Sequence, residues 1–265
     1  MRAIALLVLL TMPVLTMPAF AQPQQRPFLE LVRGSGLIFQ GTIKAIGQAT
    51  PGVTAQPNTA VVTVDRVLEA LPPIGSPRGD VTVRLRNPNQ MRPGQTATFF
   101  TFVYSAAATL GLEEVGTLPR EEPAAVERRI REARQSLADE ALGKRLTSAR
   151  LVVAGEIGEP APDPDTRQPV SEHDPAWRLT PIQVESFLKG AQANQPVAVN
   201  VSHSTDIVWR RAPKPAPGSK GIFLLQPDPG PDHWSRITGL FLVDPLDALP
   251  SNELERVRRL LRIQR

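Results

Sequence analysis

Short runs in which apolar and polar residues alternate occur in two successive rounds along the chain, and each round closes on a stretch where apolar residues recur at three and four. Period two marks a half-buried strand and period 3.6 an amphipathic helix. In the first round the alternation predicts strands near 36–47, 59–69, 80–86, 96–104 and 110–118. In the second it predicts them near 149–158, 177–188, 196–203, 220–226 and 236–243. The order of the signals is kept. Leu37-Ile38-Phe39-Gln40-Gly41-Thr42-Ile43 answers to Leu151-Val152-Val153-Ala154-Gly155-Glu156-Ile157, and a Pro-Gly pair (Pro93-Gly94, Pro217-Gly218) precedes the fourth strand in both. The repeat predicts two small β domains, because a duplicated strand series builds the same unit twice.

Between the rounds, Val126, Ile130, Ala133, Leu137, Ala141, Leu142 and Leu146 mark one face of a helix of about 25 residues, entered through Pro119 and Pro123. At the end of the chain Leu254, Val257, Leu260 and Leu261 make a second such stripe; Ser251 or Asn252 is placed to cap it, and Glu253 and Glu255 suit its positive end. The expected organisation is therefore a leader at 1–21, a first β domain at 22–118, a linking helix at 119–148, a second β domain at 149–249 and a C-terminal helix at 250–265.

The leader changes the expected location. Arg2, the apolar run Ala3 to Leu10 and the closing Ala19-Phe20-Ala21 form a secretory pattern with an A-x-A cleavage site. Pro13 and Pro18 interrupt the run, which falls short of the roughly 20 apolar residues of a bilayer span. The reading is an exported chain, periplasmic or extracellular, beginning at Gln22 and without a transmembrane span. With no cysteine in the chain, disulfides, thiolate metal sites and a cysteine nucleophile are excluded, so core packing must supply stability. The net charge is +4, with residues 148–249 net acidic and residues 250–265 net basic. Nucleic-acid binding asks for one concentrated basic face, so this distribution opposes it.

The opening strand with its central glycine, the long strand closing on Phe187-Leu188-Lys189-Gly190 and the Pro-Gly turn before a hydrophobic strand together resemble the netrin-like and tissue-inhibitor-of-metalloproteinases group of OB-fold domains of exported bacterial proteins. The resemblance spans both rounds, although the first has Val67-Leu68-Glu69-Ala70 where the second has its Leu-Lys-Gly. It implies a fold that is mainly β with helices: two five-stranded OB-like barrels, each followed by an amphipathic helix. It also implies a scaffold that binds proteins or ligands. The cysteine with which such inhibitors chelate zinc is missing, so no functional residue carries over, and fold alone does not establish function.

All three histidines (His173, His203, His233) and all three tryptophans (Trp177, Trp209, Trp234) fall in the second round. One reading is a zinc site of His173, His203 and His233 with Asp174, Asp206 or Asp232 as a further ligand; the other is three solvated loop histidines, since no close ligand pair exists. The acids Asp163, Asp165, Glu172 and Asp174 lack the glycine and spacing of an EF-hand. In Ser202-His203-Ser204, strand neighbours point to opposite faces, which argues against a nucleophile and base. Trp209-Arg210-Arg211 and Trp234 with Arg236 combine aromatic area with guanidinium donors, a composition favoured at recognition surfaces. Trp177 reads as core. The terminal Arg256, Arg258, Arg259, Arg262 and Arg265 suit either anionic lipid or a helix docked on its barrel.

The functional expectation is a non-enzymatic binding protein with its partner face, Trp209, Arg210, Arg211, Trp234 and Arg236, on the second barrel, and with an extracytoplasmic protein or envelope component as partner. The alternatives are a zinc-binding protein or zinc-dependent hydrolase using the three histidines, and a single-strand nucleic-acid binder.

Overall fold

The computed structural model describes residues 25–106, 110–161, 173–191, 196–227 and 239–263. The expected leader at 1–21 and the residues His233, Trp234 and Arg236 lie outside them. The chain divides into two compact units, Met1–Arg134 and Gln135–Arg265.

The first unit opens with helix α1 (Gln25–Arg33), continues through β1 (Leu37–Ile46), β2 (Thr59–Ala70), β3 (Gly79–Arg84), β4 (Thr96–Ala106) and β5 (Leu110–Pro119), and ends on the first half of helix α2 (Pro123–Ser148). The five strands close into a barrel in the order β1-β2-β3-β5-β4, with β3 parallel to β5 and every other pair antiparallel. Alternation along β1 sends Leu37, Phe39 and Ile43 inward against Val62, Val83, Phe99 and Leu112. Phe39 stacks on Phe99 with ring centroids 5.2 Å apart. The outward residues Ile38 and Gln40 at the start of this strand are buried as well, and Gln40 Nε2 donates to Glu121 O, just before α2, at 2.7 Å. On the neighbouring β4, Phe100 meets Phe28 of α1 edge-on.

The second unit takes the latter half of α2 as its opening helix. It runs through β6 (Leu151–Ile157), β7 (Trp177–Lys189), β8 (Val197–Ser202), β9 (Lys220–Leu225), β10 (Phe241–Leu242) and β11 (Ala248–Pro250) to α3 (Leu254–Ile263). Its interior is built from Val153, Ile182, Val199, Val201, Phe223 and Leu242. Outside the sheet, Leu142 and Leu146 of α2 and Val257 and Leu260 of α3 pack on Val152, Ile222 and Leu224. No helix among the described residues is long and apolar enough to cross a membrane. The arginines of α3 support docking: Arg256 Nε and Arg259 Nη2 reach the Asp139 carboxylate at 2.7 and 3.0 Å, and these bonds hold that carboxyl below its ordinary range against the opposing effect of burial.

Among the described residues the fold is thus mixed β with three α-helices, but the second sheet departs from the expected five-stranded closed cylinder. It is a curled six-stranded sheet in the order β10-β8-β7-β6-β9-β11. The cause lies in the last strand. In the first unit β5 runs unbroken beside β4, with Glu113 opposite Phe102 and Thr117 opposite Phe99. In the second, Phe241 lies opposite Gln226 and Ala248 opposite Phe223, and residues 242–247 fill the interval that residues 114–116 fill in the first. A 3-10 turn, Pro245–Asp247, sits in that interval. Pro245 has no N–H for a ladder, and the Asp247 carboxylate takes the amides of Val243 and Asp244 at 2.9 and 2.8 Å. The strand is therefore cut in two, and the expected strand at 236–243 is reduced among the described residues to Phe241–Leu242. The expected helix at 250–265 starts later, because Pro250 ends β11 and Ser251–Glu253 form a 3-10 turn.

The two units agree in detail beyond strand order. β1 and β6 are shifted in register against their partners at the same two places, between Ile38 and Phe39 and before Gly41, and between Val152 and Val153 and before Gly155. Gly94 and Gly218 both adopt positive φ, 83° and 78°, and donate to Ile43 O and Ile157 O at 2.7 Å; a residue with a Cβ is disfavoured there. The helix entering each unit ends under the same control. Lys189 Nζ donates to Leu146 O, Thr147 O and Ala149 O at 2.7 to 2.8 Å, a cation on the last carbonyls of α2. In the first unit Glu69 stands at the matching place and holds Arg134, whose Nη2 donates to Ser35 O just past α1 at 2.8 Å. The Leu-Lys-Gly ending of β7 is thus a helix clamp. Lys189→Met will lower stability by about 1–2 kcal/mol, the value of charge-assisted bonds at a partly exposed site, read as a lower urea midpoint.

Candidate interaction face on the second unit

The segment between β8 and β9 leaves the sheet at Ser202 and makes two consecutive turns, Trp209 N–H donating to Asp206 O and Ala212 N–H to Trp209 O, both at 3.1 Å. Turns of three residues bring positions 206, 209 and 212 to one side, and each of these is fastened. Asp206 Oδ1 accepts the Val208 N–H at 2.7 Å, and Asp206 Oδ2 lies 3.0 Å from His173 Nδ1. Trp209 Nε1 donates to His173 O at 2.8 Å, and its ring meets Trp177 edge-on at 5.2 Å. Ala212 is buried. Trp177 in turn stands edge-on to the buried Phe241 of β10 at 5.1 Å, so an aromatic stack runs from the sheet into the base of the turn.

The remaining positions face outward. Ile207 is 72% and Val208 61% exposed, the largest values among the described big apolar side chains of this unit outside α3. Arg210, Arg211 and Lys214 are exposed beside them, as is Arg178 at the start of β7. Arg178 and Lys214 both act on His203, whose pKa is held below the ordinary histidine value by burial first and by these two cations next. At neutral pH that imidazole is uncharged, and the positive charge of this surface resides on the arginines and lysine.

The base of the turn is itself tied to the sheet. Asp174 Oδ1 accepts the Ala176 N–H at 2.8 Å, which supports the left-handed backbone of Ala176 (φ 48°). Pro175 O then accepts from Ser202 Oγ, His203 N–H and Ser204 N–H. His173, Asp206, Trp177 and Trp209 are brought together in this way.

Of the residues expected to form a face, Trp209 is half-buried and serves as an anchor, whereas Arg210 and Arg211 are exposed; Trp234 and Arg236 lie outside the described residues. Of the candidate zinc ligands, His173 is engaged with Asp206, His203 is partly buried, and His233 lies outside the described residues. Among the described residues no group of three or more His, Cys, Asp or Glu side chains is arranged to hold a metal ion. Ile207 and Val208 were not singled out from sequence; the available signal was a β-branched pair stranded in a loop between Asp206 and Trp209.

The Asp206 carboxyl is held below the ordinary carboxylate range, first by the Val208 N–H and next by His173. A depressed folded-state pKa means that its contribution is fully present above the unfolded value of about 3.9 and is lost as pH falls through the lower folded value. Amide exchange at Val208, corrected for intrinsic rate, will therefore accelerate only below about pH 4, and Asp206→Ala will accelerate it roughly tenfold at neutral pH. No known family model matches the chain, and no curated protein matches it in sequence.

Proposed function

We propose that this is an exported, non-enzymatic interaction protein in which two OB-like barrels of netrin-like strand pattern hold a contact face on the second. The strand order of the first unit supports the barrel reading, since five strands closed as 1-2-3-5-4 make a Greek-key barrel. For the second unit the support is the bridge Gln226 to Phe241, in which each residue donates to the other at 2.9 and 3.1 Å. That bridge joins β9 to β10 as β4 joins β5, so the six-stranded sheet is read as the same barrel with its last strand interrupted. The leader pattern at 1–21 supports export, and the partner is then an extracytoplasmic protein or an envelope component.

The observation that carries the reading is the Ile207-Val208 pair. Exposed aliphatic residues on a turn fastened at three points cost solubility without adding to the core, and rigid presentation of apolar area beside arginine is how contact faces are built. The test is a photoreactive residue at position 207, with position 132 on the exposed face of α2 as control. Discrete adducts in extracts of the host are expected at 207 and not at 132. Equal labelling from both positions, or none from 207, would refute the assignment.

A further inference from the structure

Resting on that reading, we infer that the occupant of this face is an anionic lipid surface, with Ile207 and Val208 entering the headgroup layer and Arg178, Arg210, Arg211 and Lys214 meeting its phosphates. Three features favour a lipid surface over a folded partner. The two apolar side chains are consecutive and stand exposed on a turn between β8 and β9; a fluid apolar phase accepts such a tip, while a protein must supply a pocket shaped to it. Among the described residues the exposed charge around the tip is mostly positive: Arg178, Arg210 and Arg211 have no acidic partner there, Lys214 Nζ donates to Ser204 O, and Asp206, which keeps its negative charge, is turned to the Val208 N–H and to His173. Long cationic side chains lay their stems along apolar material while their heads reach phosphate, which suits arginines immediately after an aliphatic pair.

The tip alone is too small to anchor a protein irreversibly, so the binding is of the two-signal kind, apolar insertion plus electrostatic attraction. It requires that binding be salt-sensitive and confined to anionic bilayers.

The experiment is cosedimentation of the full mature chain with phosphatidylcholine vesicles, with and without about one-third phosphatidylglycerol. Binding to the anionic vesicles alone is expected. Arg210→Gln with Arg211→Gln should weaken it roughly ten- to thirty-fold, on the basis of about 1 kcal/mol per basic residue at the surface. Ile207→Ser with Val208→Ser should weaken it at least about tenfold. All four substitutions are at exposed positions, and an unchanged near-ultraviolet spectrum confirms that the aromatic stack beneath is intact. Equal binding to neutral vesicles, no binding to either, or wild-type binding by both double variants would overturn the inference. If vesicles fail while the photoreactive group at 207 still yields a protein adduct, the lipid assignment falls and the contact face stands.

Discussion

Asp247→Ala will lower the stability of the second unit by about 3–5 kcal/mol, the range for removing one member of a buried ion pair. Asp247 is fully buried, and its two oxygens satisfy a demanding set of donors. Arg145 Nη2 approaches both at 2.6 Å and Arg145 Nε one of them at 3.0 Å. Gln226 Nε2 donates at 3.0 Å, and the amides of Val243 and Asp244 complete the shell. Alanine strands a guanidinium, an amide side chain and two backbone N–H groups together, and each unsatisfied buried donor carries its own desolvation cost. Because this carboxylate also shapes the turn that splits the last strand, the loss will appear first in the amides of β9 and β10. Hydrogen exchange under increasing urea measures it; a change below about 1 kcal/mol, the worth of an ordinary surface pair, would mean that the network is ornamental.

Gly155→Ala is expected to cost about 3 kcal/mol, the upper end of what overpacking does in a rigid site, and Gly41→Ala nearly as much. A Cβ at Gly155 would overlap Gln183 O, and one at Gly41 would stand 2.7 Å from Thr63 O. Both obstacles are backbone atoms of the paired strand, so no side chain can rotate away. The two glycines occupy the same register shift of the first strand in each unit. Matched losses of thermal stability would establish that the bend is a shared structural requirement. A neutral result at one site would show that its strand pair is free to part.

The strands were largely legible because their burial is one-sided. β2, from Thr59 to Ala70, and β7, from Trp177 to Lys189, carry the period-two pattern that a sheet with one buried face imposes, and their limits fall within a residue or two of the expected ones. Helix α1 was missed. It is short, Pro27 interrupts its reading, and its apolar residues Phe28 and Val32 gain meaning only once they are seen to occupy the places that Leu142 and Leu146 hold before β6. The interruption of the last strand was equally hidden, since it depends on which carboxylate captures the amides of Val243 and Asp244, and that is settled by Arg145 far away in sequence. At the candidate face, composition pointed to the loop that holds Trp209, Arg210 and Arg211 but not to the inward turn of the indole. An indole and an isoleucine are both apolar in sequence; only the Trp177 edge and the His173 carbonyl decide that Trp209 turns in while Ile207 turns out.

With the photoreactive residue moved to Thr205, exposed in the same segment between β8 and β9, adduct formation in host extract tests the contact face of the second unit most directly. The pair Ile207→Asp with Val208→Asp is set against Leu71→Asp with Phe102→Asp, which charge the exposed large apolar residues of the first unit. Loss of adducts by at least about tenfold in the first pair, with wild-type yield in the second, is the predicted result. Retained adducts in the first pair, or equal loss in both, would contradict the placement of the contact face on the second unit.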